Sequence, residues 1–252
     1  KQVVSWGEST FIGNGINAIN PVDAAAFRRP GAEIKEGLIP VNMFYVSQTI
    51  TDRLSAEAFY QLEWDQTVAD NCGTFFASSD VVPDGCDSNY TVLDAGTVNT
   101  MMGLSGLLAS QGVTVVDEGL IVPRGGDRDA RDSGQWGLAL RWLGDETEYG
   151  AYFINYHSRT PNVSFTTGSP EQILSGFTTA GGALAQPILL GTGEYFLEYP
   201  EDIQLYGLSF STTLPTGTAW AGEISYRPNL PLQINGTDMT AKLATVPAGA
   251  YA

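Results

Sequence analysis

The feature that most constrains this chain is a period-two alternation of side chains that lasts far longer than in ordinary strands. From Leu54 to Asp65 one face reads Leu54, Ala56, Ala58, Tyr60, Leu62, Trp64, and the other Ser55, Glu57, Phe59, Gln61, Glu63, Asp65. The segment from Gln135 to Leu143 sets Trp136, Leu138, Leu140 and Trp142 against Gln135, Gly137, Ala139 and Arg141. In Gly150 to Ser158, Tyr152, Ile154 and Tyr156 alternate with Phe153, Asn155 and His157. Thr218 to Arg227 sets Trp220, Ile224 and Tyr226 against Glu223, Ser225 and Arg227. Segments 41–50 and 203–213 are strand-like and less regular. Successive side chains of a strand point to opposite faces, so this pattern predicts six strands, each apolar on one face and mixed or polar on the other. They run well past the common length of about 5–6 residues.

The connections fall into two classes. Thr51-Asp52-Arg53, residues 144–148 and Leu214-Pro215-Thr216-Gly217 are short and rich in turn formers, so they predict three hairpins. The stretches 66–134 and 159–202 are long. With strands alternating in direction, short turns lie at one end and long loops at the other. That combination is the pattern of an outer-membrane β-barrel, whose closed sheet pairs every backbone group without an apolar helix. On this reading the apolar faces meet lipid and Trp64, Trp136, Trp142 and Trp220 sit near the membrane interfaces. A soluble sandwich or a lipocalin-like barrel, with the apolar faces turned inward, fits the same alternation. Asn20 and Pro21 predict a short helix through Phe27, and the apolar run 100–109 reads as a loop helix or a lumen plug.

Composition narrows the function. The 252 residues carry 28 acidic and 12 basic side chains, a formal net charge of −16, and no basic cluster larger than Arg28-Arg29. Such a surface repels a phosphate backbone, which excludes nucleic-acid partners. No run of 18 apolar residues offers a transmembrane helix. The opening Lys-Gln-Val-Val-Ser-Trp lacks Met, as expected of a portion of a longer precursor. Cys72 and Cys86, 14 apart in a Ser-, Asp- and Gly-rich stretch, predict a disulfide and an oxidising compartment, with two buried thiols as the alternative.

Several stretches resemble one family. They are Trp6-Gly7-Glu8-Ser9, Gly15-Ile16-Asn17-Ala18-Ile19-Asn20-Pro21-Val22-Asp23, and Arg28-Arg29-Pro30-Gly31-Ala32-Glu33-Ile34-Lys35-Glu36. Further along come Glu57-Ala58-Phe59-Tyr60-Gln61-Leu62-Glu63-Trp64, Tyr195-Phe196-Leu197-Glu198-Tyr199-Pro200-Glu201-Asp202 and Ser225-Tyr226-Arg227-Pro228-Asn229. Across about residues 4–235 the chain resembles the Gram-negative outer-membrane family catalogued as domain of unknown function 1302. The resemblance implies a barrel in the bacterial outer membrane, surrounded by its lipid. It also implies work alongside an RND-type exporter and a LolB-like periplasmic lipoprotein, in the traffic of lipidic or hydrophobic material. It transfers no catalytic residue. Members are typically longer, so the chain reads as part of a larger barrel.

Enzyme signals are weak. His157 is the only histidine, and Gly103-Leu104-Ser105-Gly106-Leu107 lacks the last glycine of a nucleophile elbow. Gly13-Asn14-Gly15-Ile16-Asn17-Ala18 matches a dinucleotide fingerprint, but Pro21 denies it the helix that would receive a pyrophosphate. Asp127, Asp129 and Asp132 offer calcium-type oxygens, yet Arg128 and Arg131 interleave them, so an ion-paired loop is the expectation. The polar faces say more. Ser55, Glu57, Gln61, Glu63, Arg141, Asn155, His157, Glu223 and Arg227 are expected to line a lumen. Phe59 and Phe153 on that face suggest a packed plug or an apolar ligand in the lumen, with core packing against the 1–40 segment preferred.

The reading that emerges is an all-β, antiparallel transmembrane β-barrel, or a large part of one, with short periplasmic turns and long extracellular loops. Residues 1–40 form an N-terminal segment, lumen-packed or a first strand; 41–235 form strands and loops; 236–252 begin a further strand or a truncated end. The expected function is a conduit or docking component for hydrophobic or lipidic cargo, with no catalytic residue, metal or cofactor. The alternatives are a surface-assembly protein with a plugged barrel and a barrel-embedded hydrolase.

Overall fold

The computed structural model describes residues 1–9, 14–77, 79–92, 102–180 and 184–244. The chain divides into two compact units. The first comprises 1–69, 129–161 and 199–231; the second comprises 70–128, 162–198 and 232–252.

The first unit is built on one six-stranded antiparallel sheet. Its strands are β1 (Met43–Thr51), β2 (Leu54–Gln61), β6 (Trp136–Leu143), β7 (Thr147–Tyr156), β10 (Ile203–Thr213) and β11 (Ala219–Tyr226), in that spatial order. Each of the six long alternating segments is therefore a strand, and sequence neighbours pair as hairpins. The β10–β11 turn closes with the Leu214 N–H on the Thr218 carbonyl at 2.9 Å, and Gly217 supplies the φ of +81° that this turn requires. Among the described residues β1 and β11 each have one neighbour, so the sheet is open and no barrel is closed.

The cross-strand register assigns the faces, because directly opposed residues of an antiparallel pair lie on the same side. Glu57 opposes Ala139, which opposes Tyr152, which opposes Gly207, which opposes Ser225. This face is covered by the N-terminal segment. Trp6, Ile16 and Ile19 are buried on it with Phe59, Ala139, Tyr152, Ile154, Ile203 and Leu205. Val46, Leu138, Leu140, Leu208 and Ile224 lie on the other face, which is exposed.

Register also overturns one assignment made from periodicity. Tyr152, Ile154 and Tyr156 belong to the covered face, while Phe153 and Asn155 belong to the exposed one. In β7 both alternating sets are largely apolar or aromatic, so alternation fixes the period and leaves the phase open. The predicted Asn20-capped helix is a 3-10 turn at Ala26–Arg28 with Ala25 at its N-cap, and Asp23 Oδ1 just ahead of it accepts the Ala25 and Ala26 N–H groups.

The long connections are not extended loops. They supply most of the second unit, which has its own core of Leu108, Val113, Leu120, Val122, Ile188, Leu190, Tyr195 and Leu243. A three-stranded sheet of β3 (Thr91–Val92), β5 (Gly119–Ile121) and β4 (Thr114–Val116), and a pair of β8 (Asn162–Thr166) with β9 (Glu194–Glu198), carry helices at Ser105–Ser110, Pro170–Ala180, Ala185–Thr192 and Gly236–Leu243. The apolar run 100–109 thus contributes a short helix, with its first two residues outside the described ones. Residues 236–243 are helical rather than a further strand, because Asn235 accepts the Thr237 N–H and starts a helix there. The rest of the expected 236–252 segment, from 245 on, lies outside the described residues. No described helix is long and apolar enough to cross a membrane.

Cys72 and Cys86 form a disulfide, with Cα atoms 6.2 Å apart. The Gly73 N–H donates to Asp80 Oδ1 inside the loop it closes. Closing a loop of this size restricts the unfolded chain by about 3 kcal/mol. Cys72→Ser is expected to open residues 73–85 to protease at low protease concentration, and equal cleavage rates in both forms are the contrary result.

Candidate functional site

The candidate site is the covered face of the sheet and the segment seated on it. Glycines make the seats. A Cβ at Gly137 would meet Trp6 Cζ3 at 2.8 Å, and one at Gly207 would meet Ile16 Cγ1 at 2.7 Å. Trp6, 1% exposed, lies 5.1 Å from the Phe59 ring and 5.9 Å from Tyr152 between centroids. Its indole N–H donates to Glu57 Oε2 at 2.7 Å. Gly7 has φ +84°, and any Cβ there would strike Glu223 Oε2 and Ile16 Cβ at 2.5 and 2.9 Å. The Trp-Gly-Glu motif is therefore a packing device: an aromatic anchor, then a residue with no Cβ.

Charges complete the seat. Glu223 on β11 accepts the N–H groups of Glu8 (2.7 Å), Ser9 (3.3 Å) and Ile16 (3.2 Å). Arg227 donates to the carbonyls of Asn14 (2.7 Å) and Gly15 (2.5 Å), and Ser225 donates to that of Asn14. Tyr152 donates to Ser209, which donates to Glu8 Oε1 at 3.0 Å. Near the short turns, Arg141 pairs with Glu57 and Glu148, each at 3.2 Å.

At the long-loop end lies a buried guanidinium. Arg159 donates to the carbonyls of Asp65 (3.0 Å) and Ile19 (3.1 Å) and to the amide oxygens of Gln61 (2.5 Å) and Gln135 (2.9 Å). Among the described residues no carboxylate is paired with it; burial pushes its pKa down to about 10, opposed by the charge of Asp65. It stays charged at neutral pH because four oxygens replace its lost water. Nearby, Lys1 pairs with Glu63 at 2.6 Å and holds that carboxyl below its ordinary range. Arg131, bonded to Glu201 and Asp202, does the same to Asp202.

The predicted lumen residues thus divide. Glu57, Gln61, Arg141, Glu223 and Arg227 share the covered face, and all but Arg141 bond to the N-terminal segment; Arg141 reaches it through Glu57. Glu63 lies beyond the end of β2, where Asn42 also donates to it at 2.5 Å. Asn155 lies on the exposed face and donates to the Gly134 carbonyl and to Asp202 Oδ1. His157 follows the end of β7 and is buried: its Nδ1 accepts the Asp202 N–H and its Nε2 meets the Ser133 carbonyl at 2.9 Å. That pair of contacts requires the proton on Nε2. Trp64 is not on the exposed face either; it packs 4.6 Å from Tyr199 and donates to the Ser158 carbonyl. The 127–132 stretch is ion-paired, though not within itself as expected: Arg128 pairs with Glu198 and Arg131 with Glu201 and Asp202, while Asp127 pairs with Arg124. Arg159 is the residue that sequence reasoning missed, and Asn20, read from sequence as a helix cap, instead holds the Val4 N–H and the Ile39 carbonyl. A lone arginine after a strand carries no local signal of burial.

The exposed face is organised in bands. At the long-loop end Phe44, Tyr60, Trp136, Phe153, Tyr206 and Tyr226 place an aromatic ring on each of the six strands. At the short-turn end stand Trp142, Tyr149, Phe210 and Trp220. Val46, Leu138, Leu140, Ala151, Leu208 and Ile224 lie between them. Residues 1–251 match the family model described as Protein of unknown function (DUF1302). The chain belongs to that family. No curated protein and no solved structure matches.

Glu223→Gln keeps the shape and removes the charge that gathers three N–H groups. Hydrogen bonds to a charged group contribute about 1.5–3 kcal/mol. Faster hydrogen exchange at the amides of Glu8, Ser9 and Ile16 is the expected outcome, and unchanged protection there would remove Glu223 from its role as the seat.

Proposed function

We propose that the six-stranded sheet is a section of the wall of a bacterial outer-membrane β-barrel. The chain then acts as a conduit or docking component for hydrophobic or lipidic cargo, with an RND-type exporter and a LolB-like periplasmic lipoprotein as partners. One observation carries this reading. The exposed face presents an aliphatic band between an aromatic band that crosses all six strands and a second that crosses four, β6, β7, β10 and β11, with Leu208 60% and Ile224 68% exposed. In water such a face is a large cost and an aggregation hazard, whereas in a bilayer it is the ordinary outer surface of a barrel. Strands of 8 to 11 residues suit the reading, since a tilted membrane strand needs about 9–11. Its corollary puts the short turns on the periplasmic side and the long connections 66–134 and 159–202, the first braced by Cys72–Cys86, outside the cell.

The seated N-terminal segment favours a second reading, a plugged barrel that serves surface assembly rather than transport. The lumen charges are occupied by main-chain groups instead of facing water. Single-channel conductance separates the two readings. A barrel-embedded hydrolase has no comparable support, since both ring nitrogens of His157 are engaged by backbone groups.

Faster gel migration before boiling than after is expected of the protein from purified outer membranes, and identical migration would defeat the barrel reading. Leu208→Arg sharpens the test. At mid-bilayer an arginine costs about 2–4 kcal/mol, so folding into lipid vesicles should weaken by that amount. A change under about 0.5 kcal/mol, usual for a surface site in water, would show that this face meets water.

A further inference from the structure

The exposed face is not uniformly bulky. Ala151 on β7 stands directly between Leu140 of β6 and Leu208 of β10, with Tyr149 and Phe153 to either side along its own strand. The small residue leaves a trench between taller walls. Two grooves of about 630 and 640 Å³ meet there and share Leu140, Ala151, Leu208 and Ile224. One extends toward Tyr206 and Tyr226, the other toward Trp142 and Phe210. Glu223 is the one charged residue lining them, in the second groove, and its carboxylate is turned to the covered face, where it accepts the Glu8 N–H.

The chemistry changes sharply at one end. Past Phe153 on β7 comes Asn155, and past Tyr206 on β10 comes Gln204, opposed to each other in register. The Tyr206 hydroxyl donates toward Gln204 Oε1 at 3.4 Å, and Asn155 reaches Asp202, which is paired with Arg131. An apolar trench, then aromatic rings with hydroxyls, then amides and an ion pair follow in the order that a lipid presents its chain, interface and head group. A peptide fits poorly, because the backbone groups of β7 beneath the trench are spent on ladders to β6 and β10.

We propose that the trench over Ala151 is a binding site for one acyl chain of an outer-membrane lipid, with its polar head beside Asn155 and Gln204. This rests on the reading of the face as lipid-facing, and it gives the lipid a fixed seat instead of a place in the general annulus. The chain fills the depression that Ala151 leaves between Leu140 and Leu208.

The test is native mass spectrometry of the detergent-purified protein titrated with dimyristoylphosphatidylcholine. The wild type is expected to retain one lipid per chain. Ala151→Phe fills the trench on an exposed surface and should lower that occupancy at least tenfold. Ala58→Phe, on the same face outside the trench, should leave it unchanged. Equal retention by Ala151→Phe, or equal loss in Ala58→Phe, would overturn the site. Heat-modifiable migration of the same samples scores the barrel reading separately. A heat-modifiable wild type that retains no lipid fails the trench alone, whereas a wild type that migrates identically boiled and unboiled fails the barrel and the lipid seat with it.

Discussion

The structure of the first unit depends on one constraint: an antiparallel sheet must satisfy both of its faces. Backbone pairing across six strands is indifferent to side chains, but each strand delivers residues alternately to two environments. Here one face is covered by the chain itself, through Trp6, Ile16 and Ile19 set into glycine gaps. The other carries aliphatic and aromatic side chains outward with nothing from the described chain over them. An apolar surface of that extent needs an apolar surrounding, and the proposed place in a membrane wall would supply one.

Burial of polar groups on the covered face follows a consistent rule. Glu223 gathers three N–H groups, Arg227 takes two carbonyls, and Arg159 takes two carbonyls and two amide oxygens. These charges are paired with backbone rather than with one another. A segment without regular secondary structure leaves its main-chain donors and acceptors free, and burying them unpaired would cost about 1–3 kcal/mol each. Charged side chains on β11 and at the long-loop end supply the partners that a neighbouring strand would otherwise give. The residues that look from sequence like pore charges are, for the most part, the fittings of the N-terminal segment.

Some of this was legible in the chain before any tertiary information. Hairpin turns at 51–53, 144–148 and 214–217, the six strands between them, and the Cys72–Cys86 pair follow from local rules: turn chemistry, period two, and an even cysteine count in a loop-like stretch. Phe59 packing against the N-terminal segment was legible too, because an aromatic among Ser55, Glu57 and Gln61 needs an apolar partner. The Trp-Gly-Glu stretch signalled the family, though not its purpose. The fact that a Cβ at position 7 collides with Glu223, more than 200 residues away, is invisible locally.

What the sequence by itself determined is the period of each strand and the ends of each hairpin, because these arise from covalent alternation and near-neighbour turn geometry. Only the tertiary structure decided the phase of β7, which puts Asn155 and Phe153 outside and Tyr152 and Ile154 inside. Both sets are largely apolar or aromatic, so the choice was made by the register, which sets Tyr152 opposite Ala139 and Gly207 on the face that Trp6 covers. It also decided that the long connections fold into a unit with its own core, and that Arg159 is buried without a paired carboxylate among the described residues. Those outcomes depend on contacts between residues distant in the chain, which no local pattern encodes.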